Sequence, residues 1–159
     1  VRTYKITIQK VESGKESPAD IISYLGYNNS NGILSGIALD TDVTNIISNV
    51  RNKFASSNIN IKDKNGSTKE NGKISTGDKI TITSNSSTIT YKVAVKGDVN
   101  GDGKISISDY AKVKSHILGV ARVDNEYLKA ADANGDGKVS IADYAKIKSH
   151  ILGTSKITK

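Results

Sequence analysis

One 22-residue stretch occurs twice in the chain and constrains the fold more than any other feature. Asp98–Gly119 reads DVNGDGKISISDYAKVKSHILG, and Asp132–Gly153, which begins 34 residues later, reads DANGDGKVSIADYAKIKSHILG. The copies agree at 18 of 22 positions, and the four differences exchange one small or apolar residue for another. A repeated, specific spacing of acids, amides and glycines is much stronger evidence than a single motif match. The sequence therefore predicts two units with the same structure and the same chemistry.

The first half of each copy has the spacing of an EF-hand calcium loop. Oxygen-bearing side chains stand at positions 1, 3, 5, 9 and 12, a glycine at position 6 permits a sharp turn, and position 7 offers its main-chain carbonyl. Position 12 is Asp in both copies, where EF-hands usually have Glu. Hard oxygen donors favour calcium over zinc, and neither histidine lies in a loop. The predicted ligands of two Ca²⁺ ions are Asp98, Asn100, Asp102, Lys104, Ser106, Asp109, Asp132, Asn134, Asp136, Lys138, Ser140 and Asp143.

The segments before the loops differ, although the loops do not. Strand-like TYKVAV precedes Asp98, whereas Asn125–Ala131 suffices for one or two helical turns before Asp132. This duplication of half an EF-hand, with helices that end in Ile-Leu-Gly, resembles dockerin domains over Gly97–Gly153. The resemblance implies a non-catalytic, calcium-dependent module through which a secreted bacterial enzyme or surface protein docks onto a cohesin domain of a scaffoldin or surface protein. A β-rich domain directly ahead of it is similar to the X-module–dockerin arrangement.

Each repeat helix has two apolar faces, of which one is expected to pack the core and the other to bind a partner. The predicted core residues are Tyr110, Val113, Ile117, Tyr144, Ile147 and Ile151. The second stripe and the resemblance together indicate partner contacts at Ile107, Ser108, Ala111, Lys114, Ser115, Leu118, Gly119, Ile141, Ala142, Ala145, Lys148, Ser149, Leu152 and Gly153. An alternative is that Ile107 and Ile141 are covered by the other repeat or by the first domain. If both faces are free, two docking orientations related by a half-turn follow.

Residues 1–96 predict a small α+β domain, β-rich and Ig-like or sandwich-like with one helix, ahead of an all-α dockerin-like domain over 97–159. Alternation predicts strands at Tyr4–Val11, Asn60–Lys62, Lys79–Thr83, Thr88–Val95 and about 33–39. Helical spacing after capping Asp residues predicts one helix over Asp42–Ala55. One interpretation of residues 1–17 is a strand and linker from a preceding domain. The acids in this region stand beside turn residues, so capping is their expected role.

Composition narrows the function further. The formal charge of +7 is spread along the chain without basic runs, which argues against nucleic acid, and no apolar run is long enough to span a membrane. There is no cysteine, and no acid–base or nucleophile constellation outside the loops predicts an enzyme. The chain is expected to be extracellular, at the bacterial cell surface or in a multi-enzyme complex, and monomeric when free. The alternative function is a calcium-stabilised structural tail without a cohesin partner.

Overall fold

The structure is a computed structural model and describes residues 16–158. The predicted strand at Tyr4–Val11 lies outside these residues. The helices are α1 (Pro18–Tyr24), α2 (Val43–Lys53), α3 (Ile107–Ile117), α4 (Asn125–Ala131) and α5 (Ile141–Ile151). The strands are β1 (Asn28–Ser30), β2 (Ile33–Ile37), β3 (Asn58–Lys62), β4 (Lys79–Ser84) and β5 (Ser87–Val95). Within the described part of the chain, no helix is long and apolar enough to cross a membrane.

The first part of the molecule is one mixed sheet with two helices packed on it. The strand order is β1-β2-β5-β4-β3, and β2 runs parallel to β5 while the other neighbours are antiparallel. Alternate residues of β3 and β4 point to one face and are buried, as the period of a strand requires, and Tyr91 and Val93 of β5 are buried with them. The core that these residues form with α1 and α2 includes Ile21, Leu34, Val43, Ile46, Val50, Ile61, Ile80, Ile82, Tyr91 and Val93.

The α+β class of this part is confirmed, with two corrections. The sequence predicted one helix against the sheet, but α1 precedes α2. The missed signal is Ser17-Pro18-Ala19-Asp20, in which Ser17 and Asp20 form a capping box and proline occupies the first turn. The predicted Ig-like or sandwich-like form requires a second sheet, and in residues 16–158 the helices cover the sheet instead.

The other predictions for this part agree with the structure to within a few residues. Helix α2 begins after Asp42, whose carboxylate accepts a hydrogen bond from the Thr44 N–H. The carboxylate of Asp63 accepts turn bonds from Asn65 and Ser67, which is the role expected of acids beside turn residues. The strand predicted at 33–39 is β2, and its register with β5 shifts between Leu34 and Ile37.

The second part contains α3, α4 and α5 and has a small core of its own. Val113 and Ile147 are fully buried where α3 and α5 meet, and Tyr110 and Tyr144 stack with ring centroids 4.0 Å apart. The prediction that Ile117 and Ile151 are core residues is wrong, because they are 38% and 39% exposed. Both stand in the last helical turn, beyond the point where the two short helices pack together.

The two parts are joined without an intervening linker. Strand β5 ends at Val95, and the N–H of Gly97 already donates to the carbonyl of Ala130 in α4 (2.8 Å). Lys92 of β5 forms an ion pair with Glu126 of α4 (3.1 Å). The domain boundary at 96/97 and the rigidity of this junction stay predictions, which these contacts support.

Candidate calcium loops and exposed helix faces

We name residues 98–109 loop 1 and residues 132–143 loop 2. Both loops are curled by the same local hydrogen bonds. In loop 1, the Asn100 side chain accepts from the Asp102 N–H, and Asp102 accepts from the Lys104 N–H. Loop 2 repeats these bonds among Asn134, Asp136 and Lys138. Such side-chain-to-backbone bonds are what Asn and Asp supply in tight turns.

The acid at position 12 closes each loop onto the helix that follows it. Asp109 accepts from the N–H groups of Val99 and Asn100 with one oxygen and from Ser106 with the other. The Ser106–Asp109 pair is also the capping box of α3, and Ser140–Asp143 is that of α5. The residue at position 12 therefore connects the start of the loop to the start of the helix. These bonds bring the shorter Asp side chain towards the loop.

The donor set of loop 2 suits a hard cation. One carboxylate oxygen each from Asp132, Asp136 and Asp143 can be chosen so that all three lie within 4.8 Å of one another. Three converging carboxylates repel one another unless a cation or protons compensate them, and oxygen-only donors are those that calcium prefers. Asn134 and Ser140 stand in the same loop and add neutral oxygens. These residues therefore fit calcium.

Loop 1 has the same residues but packs against the sheet domain. Asp98 is fully buried, and its Oδ2 accepts a 2.9 Å hydrogen bond from the N–H of Thr76. The Thr76 hydroxyl is bonded in turn to the main chain of Val95, where β5 ends. Burial raises the pKa of Asp98 to about 6, against the hydrogen bonds from Thr76, Asp102 and Gly103, which lower it. The side chain of Asp98, one of the twelve predicted ligands, is thus bonded directly to the preceding domain.

Lys64, Ser75 and Thr76 also cover loop 1. The Lys64 ammonium donates to the carbonyls of Asn100 (3.0 Å) and Gly101 (2.9 Å). A methyl group at Gly101 would overlap the carbonyl oxygen of Thr76, and one at Gly103 would lie 2.9 Å from the Ser75 hydroxyl. Both glycines are buried.

Loop 2 is open where loop 1 is covered. Gly135 and Gly137, the counterparts of the two buried glycines, are exposed, and a methyl group at Gly137 would meet no atom within 4 Å. Near Gly135 the closest group is the flexible end of Lys96, at 3.1 Å from such a methyl. The two loops therefore share a sequence but not an environment.

The outward faces of α3 and α5 are exposed to nearly the same degree. Ile107 and Ile141 are 67% and 68% exposed, and Leu118 and Leu152 are both 64% exposed. The alternative that the first domain or the other repeat covers the two isoleucines is therefore wrong for this structure. The remaining residues predicted to contact a partner are exposed, except that Ser115 and Ser149 are half-buried.

Both histidines serve the fold in equivalent ways. His116 Nδ1 accepts from the N–H of Val123, and His150 Nδ1 accepts from the N–H of Ile157. Val123 and Ile157 stand 34 residues apart and both pack into the core of the second part. Each repeat therefore extends about four residues beyond the Ile-Leu-Gly that ends the 22-residue stretch.

Comparison with known proteins assigns the second part of the chain. Residues 96–152 match the model of the dockerin type I domain. Among solved structures, the chain is similar to one chain in the crystal structure of the sixth cohesin from Acetivibrio cellulolyticus scaffoldin B in complex with a mutant Cel5 dockerin. That likeness has 32% identity and a TM-score of 0.36, and it covers 39% of this chain and 97% of that chain. No curated protein matches the chain. Residues 96–152, which contain both loops and the helices α3, α4 and α5, belong to the dockerin type I family.

Proposed function

We propose that this chain is a non-catalytic module that docks its parent protein onto a cohesin domain in a calcium-dependent manner. The observation that carries the proposal is the pair of exposed apolar faces on α3 and α5, within residues that match the dockerin type I model. A calcium clip that served only stability would need the loops and the buried face of each helix. It would not need isoleucine and leucine side chains about two-thirds exposed on the opposite face.

The loops set the geometry of these faces. Each of the two loops would take one Ca²⁺, with ligands from positions 1, 3, 5, 7, 9 and 12. A bound cation would neutralise the converging carboxylates of loop 2 and hold the first turn of α5 against its loop. Since position 12 is also the capping acid, ordering of the loop and orientation of the helix are the same event. Calcium removal should therefore disorder the partner-binding faces.

Two docking orientations are part of the proposal. Helices α3 and α5 pack around Val113 and Ile147 with stacked tyrosines, so a half-turn about this centre exchanges the two outward faces. The faces carry the same residue types, apart from Ser108 and Ala142, and nearly equal exposure. The sheet domain covers loop 1 but leaves the outward face of α3 open, so it blocks neither orientation.

The context of the module is also proposed. Dockerin domains imply an extracellular, cellulosome-like setting, and we propose that the parent protein is displayed at a bacterial cell surface or in a multi-enzyme complex. Residues 1–96 act as an X-module-like support, since the contacts on loop 1 come from this part of the chain. The free chain is expected to be monomeric.

A pull-down with immobilised cohesins from the source organism tests the proposal. Binding in millimolar calcium that disappears on addition of EGTA supports docking. The same chain with its calcium-dependent fold intact but without affinity for any of these cohesins would instead support the structural tail. Circular dichroism and thermal unfolding with and without calcium supply the fold readout, so loss of structure and lack of a partner are separated.

A further inference from the structure

We infer that the sheet domain contributes to the first calcium site. Through its contacts, loop 1 binds Ca²⁺ more tightly and releases it more slowly than loop 2, although the two loops have nearly the same sequence. This inference rests on the calcium binding proposed above. It is carried by contacts to loop 1 that come from outside the repeats, at Lys64, Ser75 and Thr76.

The first step is the position of Asp98, the ligand at position 1. Its Oδ2 is oriented by the N–H of Thr76, and Thr76 is itself fixed because its hydroxyl bonds both the N–H and the carbonyl of Val95. Asp98 follows β5 after only two residues, so its backbone is also tied to the sheet. Asp132 instead follows α4, a helix of seven residues, and its carboxylate accepts from the N–H groups of Gly135 and Gly137 in its own loop. In loop 1 the first ligand is thus positioned before a cation arrives.

The second step is the curl of the loop. Lys64 donates to two consecutive carbonyls, those of Asn100 and Gly101, and neither belongs to the position-7 residue that offers its carbonyl to calcium. The lysine therefore fixes the turn without competing for the ion. Its positive charge is matched at loop 2 by Lys96, which lies beside Gly135. The two loops consequently differ in their contacts with the sheet domain more than in charge.

The expected difference in calcium affinity follows from the conformational entropy of the loops. Fixing the backbone of even one residue in advance is worth about a factor of ten in affinity, because that ordering no longer opposes binding. In loop 1, the carboxylate of Asp98 and the carbonyls of Asn100 and Gly101 are already held in place. We therefore expect half-saturation of loop 1 at roughly one-tenth of the calcium concentration that loop 2 needs.

The experiment is an NMR titration of the intact ¹⁵N-labelled chain in calcium buffers, which follows the amides of Gly103 and Gly137. These glycines occupy position 6 of loops 1 and 2, so each reports one loop. The test variant is Lys64→Met, which removes an exposed side chain and should fold. The matched control is Lys62→Met, an exposed lysine of β3 that removes the same charge two residues away.

In the wild type, the Gly103 amide should respond at about tenfold lower calcium than the Gly137 amide. Lys64→Met should move the Gly103 midpoint to roughly three- to tenfold higher calcium and leave Gly137 unchanged, since a typical net hydrogen bond is worth about that much. Lys62→Met should move neither. Coincident midpoints in the wild type, or an equal shift of both in Lys64→Met, would overturn the inference while calcium binding stands. No calcium response at either amide would overturn the proposed function itself.

Discussion

Loops 1 and 2 are nearly the same sequence in two different settings. Gly101 and Gly103 are buried under the sheet domain, while Gly135 and Gly137 are exposed. Most hydrogen bonds within the loops are shared, and the larger difference lies in what precedes each loop: strand β5 for loop 1 and helix α4 for loop 2. The comparison teaches that a motif specifies which atoms can bind calcium, whereas the neighbouring structure decides how far they are arranged beforehand.

The same two repeats are alike on their other side. Ile107 and Ile141 differ by one percentage point in exposure, and Leu118 and Leu152 do not differ. The repeats are thus distinct where they meet the rest of the chain and equivalent where a partner would bind.

The largest effect is expected from the equivalent faces. Either Ile107→Asp or Ile141→Asp alone should weaken cohesin binding by no more than about threefold, because the unaltered face still docks. The double variant should lose at least about a hundredfold, since an apolar anchor is replaced by a buried charge in both orientations. Surface plasmon resonance on an immobilised cohesin measures the affinities. Asp is tolerated in a first helical turn, so thermal unfolding should stay close to the wild type. Complete loss in either single variant would contradict two orientations.

The next effect separates the loops. Gly101→Ala and Gly135→Ala place a methyl group at similar positive φ angles, 71° and 80°, and share a cost of about 1 kcal/mol. Only the methyl at residue 101 also overlaps a main-chain oxygen, that of Thr76. We therefore expect the free energy of unfolding to fall by about 3 kcal/mol for Gly101→Ala and by about 1 kcal/mol for Gly135→Ala. Urea unfolding in saturating calcium measures both. Equal losses would show that the sheet domain does not close on loop 1.

Proteolysis tests the junction that brings loop 1 to the sheet. Lys96 is half-buried between two buried neighbours, whereas Arg122 is exposed in the segment between α3 and α4. In calcium, trypsin should cut after Arg122 at least about ten times faster than after Lys96, since cleavage requires local opening. Mass spectrometry identifies the sites, and a synthetic peptide that spans both gives their intrinsic rates. Early cleavage after Lys96 would contradict a rigid junction.

The sequence predicted those features that depend on local spacing. The converging acids of loop 2, the bounds of α4, the helix after Asp42 and the exposure of Ile107 and Ile141 follow from chemistry and periodicity within one segment. Helix α1 was missed although Ser17 and Asp20 carry a capping-box signal. The equivalent roles of Val123 and Ile157 could also have been predicted, because the two residues are separated by the 34-residue offset of the repeats.

The environment of loop 1 was out of reach of the sequence. Thr76 stands 22 residues before Asp98, and Lys64 stands 37 residues before Gly101. Neither contact joins two side chains whose types would reveal it in the sequence. Thr76 bonds Asp98 through its main-chain N–H, and Lys64 bonds main-chain carbonyls. Contacts of this kind depend on where the sheet places the 63–78 segment, not on the side chains at both ends. The error at Ile117 and Ile151 has a similar origin, because periodicity gives the face of a helix but not where its packing ends.

The smallest effect is expected at the ion pair between β5 and α4. Lys92→Met removes the partner of Glu126, whose side chain is only 9% exposed, but the Lys92 side chain is itself 45% exposed and its charge is screened by water. We expect the free energy of unfolding to fall by about 0.5 kcal/mol. Chemical denaturation of Lys92→Met, Glu126→Gln and the double variant isolates the coupling between the two residues. Helix α4 leads into loop 2 and strand β5 leads into loop 1. This ion pair therefore connects the two elements that precede the loops. A loss above about 2 kcal/mol would mean that the pair holds the two domains together, and the difference between the loops would then depend on charge as well as on packing.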